Sequence, residues 1–415
     1  MNKFLKIAGI TLVALVVLLL GYSYVSFNSY SPTDPDVTVD KTKLGYYQNS
    51  WEDCRDAFRA QANSMKTRFD SVAVFSRAVE SKSDTGLTID FCYIPASDTT
   101  EKLVMICSGT HGIEGFVGSA VQQQLMAEFF KPEMLETTGV LLVHGLNAWG
   151  FKNQRRFTES NVDLNRNYST DKSLFETKND GFVALYDMLT PKGELNMNSI
   201  SNKFFMVTAI NQIARKGMPA LLQAFAQGQY EFQEGIYFGG NDFEQQVAIM
   251  SEVLSDIAAP YSTLLNLDLH TGFGERGELH LFPNPIDDPE LKAKTVEVFK
   301  GYQIDWGDSD NFYTVSGQFV EFIGDLFPDK TSIPMLMEFG TLNTGSTIGA
   351  VKSAHISIAE NQGAHYGYKS QKDSLKALAG YYEMFYPPSE KWRTNALTVS
   401  QEMMGKIWEN LQKLE

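Results

Sequence analysis

Three short apolar runs, residues 103–107, 264–269 and 335–337, each lead at once or within a few residues to a titratable side chain, and this pattern constrains the chain more than any other. The first leads into Ser108-Gly109-Thr110-His111-Gly112-Ile113-Glu114-Gly115. The second ends at His270-Thr271-Gly272, and the third at Glu338-Phe339-Gly340. Runs this short and this apolar read as strands buried on both faces. Burying Asp268 and His270 at a strand terminus costs free energy unless each finds a partner. Three buried strands that deliver His, Glu, His and Glu at their C-terminal ends place those groups where open α/β sheets build their sites.

The rest of the chain supplies the sheet's other strands and its covering helices. Strands are expected at residues 72–79, 87–94, 140–143 and 279–282. Helices are expected at Trp51–Met65 and at residues 116–130, 204–226, 243–258, 289–299, 370–385 and 396–414, and within 350–359. Strands alternating with helices predict an α/β fold with a mixed, largely parallel central sheet covered by helices on both faces. Residues 46–415 form the catalytic domain on this reading. Residues 169–235 are the least patterned stretch and are expected to be an insertion covering the site.

The N-terminal thirty residues form a separate region. Lys3 and Lys6 precede an uncharged run whose apolar heart spans residues 7–25, and Asp34 and Asp36 follow it. About 20 apolar residues are enough to cross a bilayer as a helix. The flanking charges predict the N-terminus inside and the catalytic domain outside the cytoplasm. The lipid bilayer is therefore an expected partner, through an uncleaved anchor or, alternatively, through a signal segment whose removal leaves a secreted or periplasmic body. Residues 31–45, rich in Pro, Asp, Ser and Thr, read as a linker. A formal net charge of −15 argues against nucleic acid as a partner. The odd cysteine count, Cys54, Cys92 and Cys107, shows no ligand spacing.

A His-x-x-Glu pair at a strand end is weak evidence for a metal when it stands alone. Here His270 and Glu338 arrive on two further strands. Two histidines and one carboxylate make a three-ligand zinc site with a position left for water, and a fourth carboxylate beside it can act as general base. Between the strands lies a very polar stretch, Gln154-Arg155-Arg156 followed by Asn161-Val162-Asp163-Leu164-Asn165-Arg166-Asn167. A solvated loop with paired arginines would account for it, but arginine beside a metal site also suits a carboxylate clamp.

In order and residue type, His111-x-x-Glu114, Asp163-Leu164-Asn165-Arg166-Asn167, His270 and Glu338 resemble the zinc carboxypeptidase superfamily over residues 102–341. That group includes carboxypeptidase A-like peptidases and the succinylglutamate desuccinylase and aspartoacylase branch. The resemblance implies Zn2+ held by His111, Glu114 and His270, with Glu338 activating the attacking water. It further implies that Arg156, or else Arg155, stabilises the oxyanion, and that Asn165 and Arg166 hold a free carboxylate of the substrate. Asp163 would orient a zinc-binding histidine, and Asp268 beside His270 would serve likewise. Tyr313-Thr314-Val315-Ser316-Gly317 is similar to a run whose tyrosine closes over the substrate, which would put Val320 near a neutral side-chain pocket. Asn147-Ala148-Trp149-Gly150 departs from the Asn-Pro-Asp-Gly common in the group. The implied activity is hydrolysis of an amide next to a free carboxylate by a membrane-anchored branch of the group. Its substrate would be a peptide, as for a metallocarboxypeptidase, or an N-acyl amino acid. A member of the fold that binds but does not catalyse is a further alternative.

Overall fold

The computed structural model describes residues 3–306 and 315–414. In chain order the elements that matter are helix α1 (Lys3–Asn28), α2 (Trp51–Met65), strands β1 (Ala73–Ala78), β2 (Thr88–Ile94) and β3 (Lys102–Ser108), α3 (Gly115–Gln124) and β4 (Thr138–His144). There follow α4 (Phe205–Lys216), α5 (Met218–Ala226), α6 (Gln245–Ala258), β5 (Thr263–Thr271), β6 (Leu279–Phe282) and α7 (Pro289–Val298). The chain closes with α8 (Phe319–Leu326), β7 (Thr331–Phe339), α9 (Thr347–Tyr366), α10 (Gln371–Phe385) and α11 (Glu390–Gln412).

The strands form one sheet in the order β1-β2-β4-β3-β5-β7-β6. Its centre, β4-β3-β5-β7, is parallel, while β1, β2 and β6 pair antiparallel at the two sides. The expected mixed, largely parallel sheet is present. Every residue of β3 and β4 is buried, which is why these strands read as continuous apolar runs instead of alternating ones.

Register decides what faces what. Ser108 pairs with Leu269 across β3 and β5, and both lie against Gly118 of α3. A Cβ on Gly118 would stand 2.5 Å from that of Ser108, so only glycine lets α3 come this close. Side chains alternate along a strand, so Asp268 and His270 point to the opposite face. There α8 packs on β5 and β7, with Phe319 and Phe322 against Tyr168.

Residues 204–226 are not one helix. Gly217 takes φ +84°, ending α4, and Pro219 opens α5, following the preference for glycine past a helix end and proline at a helix start. Likewise the helix expected to reach residue 130 is regular only to Gln124 and continues as a wider turn over Leu125–Phe129.

The N-terminal expectation is corrected. Among the described residues no helix is long and apolar enough to cross a membrane. The run at residues 7–25 does become helical, but the helix continues to Asn28 and its last turn is committed to the body. Phe27 is fully buried, stacked on Phe205 and edge-on to His355, and Asn28 Nδ2 donates to the Lys203 carbonyl. The single-pass topology, the lipid bilayer as a partner and the membrane-anchored branch fall with it. Residues 31–45 also run against the body, where Asp34 meets Arg276 at 2.8 Å and accepts from Ser389.

Candidate metal centre

The loop after β3 is shaped by its glycines. Gly109 sits at φ +74°, a backbone conformation that favours glycine, and turns the chain out of the sheet. A Cβ on Gly112 would lie 2.0 Å from the Gly150 carbonyl carbon, so the segment around Arg155 and Arg156 can press directly on this loop. It does so through two backbone bonds, Gly112 N–H to the Arg156 carbonyl and Ile113 N–H to that of Arg155. His111 therefore emerges at the strand end, and Glu114 follows from a single tight turn, Gly112–Glu114.

Three side chains converge. His111 Nδ1 lies 2.9 Å from Glu114 Oε1, His270 Nδ1 lies 2.9 Å from Glu114 Oε2, and the two Nδ1 atoms are 3.0 Å apart. All three residues are buried, and they form a group able to hold a divalent metal ion. The remaining ring nitrogens are also engaged. His111 Nε2 is 3.1 Å from Asp163 Oδ1, and His270 Nε2 is 2.7 Å from Asp268 Oδ2. Each carboxylate is itself anchored: Asp163 accepts from Arg156 Nε and from the Asn165 N–H, and Asp268 from the Thr110 hydroxyl. Carboxylates behind metal-binding histidines fix the ring orientation and raise ligand basicity. The donor set thus fits zinc in number, type and support.

Electrostatics separates the carboxylates. Burial opposes ionisation of Glu114, but His111 and His270 beside it hold its pKa well below the ordinary range. Asp163 is likewise held well below its usual value, by Arg156 and His111 against the cost of burial. Burial raises the pKa of Glu338, with the Glu114 charge adding to the effect. Glu338 is the register partner of His270 across β5 and β7, and it accepts from the Phe273 N–H at 3.4 Å. One carboxylate is a firm anion and its neighbour is pushed toward carrying a proton.

The arginines divide. Arg156, buried, bridges Asp163 and Glu114 (3.2 Å to Oε1), and its guanidinium stands 4.9 Å from the Tyr237 ring. Arg155 turns away to a buried ion pair with Glu360 at 2.7 Å. Arg166 is buried and, among the described residues, forms no salt bridge. It donates instead to the carbonyls of Ala226 and Asn165. Asn165 Oδ1 takes the Phe319 N–H at the start of α8.

A cavity of about 550 Å³ opens over this group, and His111, Arg156, Asn165, Arg166 and Glu338 all line it. Val320 is buried beside it, against Phe282 and Leu336. Tyr313 lies outside the described residues. His144 is not at the centre: it bonds Ser119 and stacks on Phe58. Two lining residues escape a reading of the sequence. Tyr237 stands between the Arg156 and Arg166 guanidinium groups, and nothing in its surroundings in the chain marks it. Gln318 is buried with neither amide atom hydrogen-bonded among the described residues, and its one sequence cue is adjacency to Gly317.

The sheet and its buried His-Glu-His group define an α/β protein with a site for a divalent metal. Residues 47–399 match the family DUF2817, described as a protein of unknown function, and the chain belongs to that family. No curated protein matches the sequence. Among solved structures it is similar to bovine thrombin-activatable fibrinolysis inhibitor bound to a tick carboxypeptidase inhibitor, at 11% identity and TM-score 0.42, covering 77% of this chain and 97% of that one. A metallo-carboxypeptidase from Pseudomonas aeruginosa gives 13% and 0.39, covering 77% and 70%. A succinylglutamate desuccinylase/aspartoacylase from Rhodobacter sphaeroides gives 14% and 0.34, covering 72% and 67%.

Proposed function

We propose that this protein is a zinc-dependent hydrolase that cleaves an amide bond next to a free carboxylate. The observation that carries the reading is the convergence of the two histidine Nδ1 atoms and the Glu114 carboxylate, with Asp163 and Asp268 behind the rings. His111, Glu114 and His270 would hold the metal. When bound, zinc supplies Lewis acidity toward a water molecule and a carbonyl oxygen.

The chain's own groups do the rest. Glu338, lining the cavity beside His270, accepts the proton of the attacking water and delivers it to the leaving nitrogen. Arg156 places a fixed positive charge at the cavity floor, where negative charge on the carbonyl oxygen develops. Among the described residues Arg166 donates to neutral carbonyls and feels the Asp163 charge without bonding to it, which leaves a substrate carboxylate room to pair with its guanidinium directly. Asn165 lines the cavity beside it, and together they set the register of the scissile bond. Arg155, paired with Glu360, supports the wall of the site instead of facing substrate.

Metal analysis tests the first half of the reading. The purified full chain is expected to carry about one zinc, and His111→Ala to lose most of it. Glu338→Gln is expected to keep the zinc and lose hydrolysis of N-acyl amino acids and peptides by at least about a hundredfold. A parent protein free of zinc after supplementation, or a Glu338→Gln variant of unchanged rate, would sink the proposal.

A further inference from the structure

We infer that the substrate is an N-acylated amino acid whose acyl group is a long hydrocarbon chain, a deduction that rests on the hydrolase reading above. The cavity has two unlike ends. Arg156, Arg166 and Glu338 make its charged floor, and residues of the segment 169–235 and of α9 supply a largely apolar wall. Along α5 the lining residues Met218, Leu221, Leu222 and Phe225 fall at i, i+3, i+4 and i+7, which is one face of a helix. Such a stripe ordinarily packs into a protein core. Here Leu221 and Phe225 also touch the neighbouring core, but all four line a cavity, as do the buried Phe205 and Ala209 one turn apart on α4. An apolar face directed at a ligand cavity implies an apolar occupant.

Floor and wall are joined by one side chain. Arg166 Nη2 donates to the Ala226 carbonyl at 2.6 Å, at the C-terminal end of α5, where a cation suits the helix dipole. The next glycine, Gly228, lies so close that a Cβ there would stand 2.7 Å from Arg166 Cδ. The group that would grip the carboxylate therefore also holds the apolar helix in place, and one molecule can meet both ends. A free carboxylate at Arg166 and a hydrocarbon chain along α5 and α4 describe an amphiphile. Hydrolysis adds water across its amide: the carbonyl carbon gains a C–O bond, the C–N bond breaks, the nitrogen takes a proton, and a fatty carboxylate and a free amino acid leave.

The test is a series of N-acylglycines from acetyl to tetradecanoyl. Hydrolysis is followed by amine release, and binding to Glu338→Gln by displacement of a fluorescent fatty carboxylate. For the parent, kcat/KM is expected to climb about fourfold per added methylene until the cavity is full. In Ala209→Trp the climb should stop at a shorter chain, and Leu222→Asn should lower its slope, so that a misfolded variant of one kind does not decide the matter. A parent that turns over the acetyl compound at a rate flat or falling with chain length overturns the inference. If peptides are hydrolysed and no member of the series is, the inference is overturned and the hydrolase reading stands. If neither is hydrolysed the hydrolase reading fails, and binding still decides: chain-length dependence that Ala209→Trp truncates supports an acyl site, and flat binding refutes it.

Discussion

Gln318 shows what a single side chain contributes at this site. Its amide is buried on the cavity wall, and neither its oxygen nor its nitrogen is hydrogen-bonded among the described residues. A buried polar group left without a partner costs about 1–3 kcal/mol. Replacing it with leucine removes that cost without changing the size of the side chain much, so Gln318→Leu is expected to raise the melting temperature by several degrees. If the amide is there to meet the substrate's own amide, the same variant should raise KM for N-acyl amino acids about tenfold. Thermal melts beside steady-state kinetics check both halves, and a destabilised variant of unchanged KM would show a structural role only. The metal-site residues were legible because three apolar strands ending in His or Glu demand partners, whereas Gln318 belongs to no pattern. Arg155 and Arg156 were indistinguishable as neighbours. Only the backbone bonds to Gly112 and Ile113 turn one toward the metal group and the other toward Glu360.

At the level of elements, the strands were readable and the places where helices meet were not. The apolar runs at residues 264–269 and 335–337 extend to β5 and β7 because strand pairing, which a one-dimensional pattern does not contain, carries the ladder outward at both ends. The docked end of α1 depends on contacts with α4 and α9, again beyond a local pattern, whereas Gly217 and Pro219 mark their break locally. Tyr313, singled out by a local motif, falls outside the described residues. The contact of α3 with the sheet is a case in which one atom decides an interface. Gly118→Ala would drive a Cβ against those of Ser108 and Leu269, and α3 would have to move off β3 and β5. Overpacking of this kind costs about 1–3 kcal/mol. Because Glu114 immediately precedes α3, that shift should also loosen the metal group. Denaturant unfolding is expected to show the loss of stability, and chelator competition a lower zinc affinity than the parent. A variant with parental stability would mean the helix slides without cost.

Over the whole molecule, two histidines that do not line the cavity tie stability to pH. His144 sits between Phe58 and Phe151 beneath the sheet's β2 side, with Arg55 and Arg59 near it. His355 of α9 lies against Phe27 and Phe205, joining α1 and α4 to the body, with Lys352 and Lys376 near it. Burial, reinforced by those cations, lowers both to about 3 from an ordinary value of 6.5. Both are neutral in the fold, so below pH 6.5 the unfolded chain binds protons that the folded chain refuses. Stability is therefore fully present above 6.5 and falls as pH drops toward 3, by up to about 1.4 kcal/mol per pH unit for each histidine. Glu321 works in the opposite sense. Burial raises it to about 7, so the folded chain takes its proton first on acidification and offsets part of the loss between pH 7 and 4.5. The expected profile is a shallow decline from pH 6.5 to 4.5 and a steeper one below. Full-chain unfolding in denaturant, with excess chelator so that metal release adds nothing, measures it. His355→Phe should remove one histidine's share of the acid slope while leaving that of His144. An acid limb of parental steepness in this variant would show that His355 takes up its proton in the fold, and that the packing of α1 and α4 around it is looser than the structure describes.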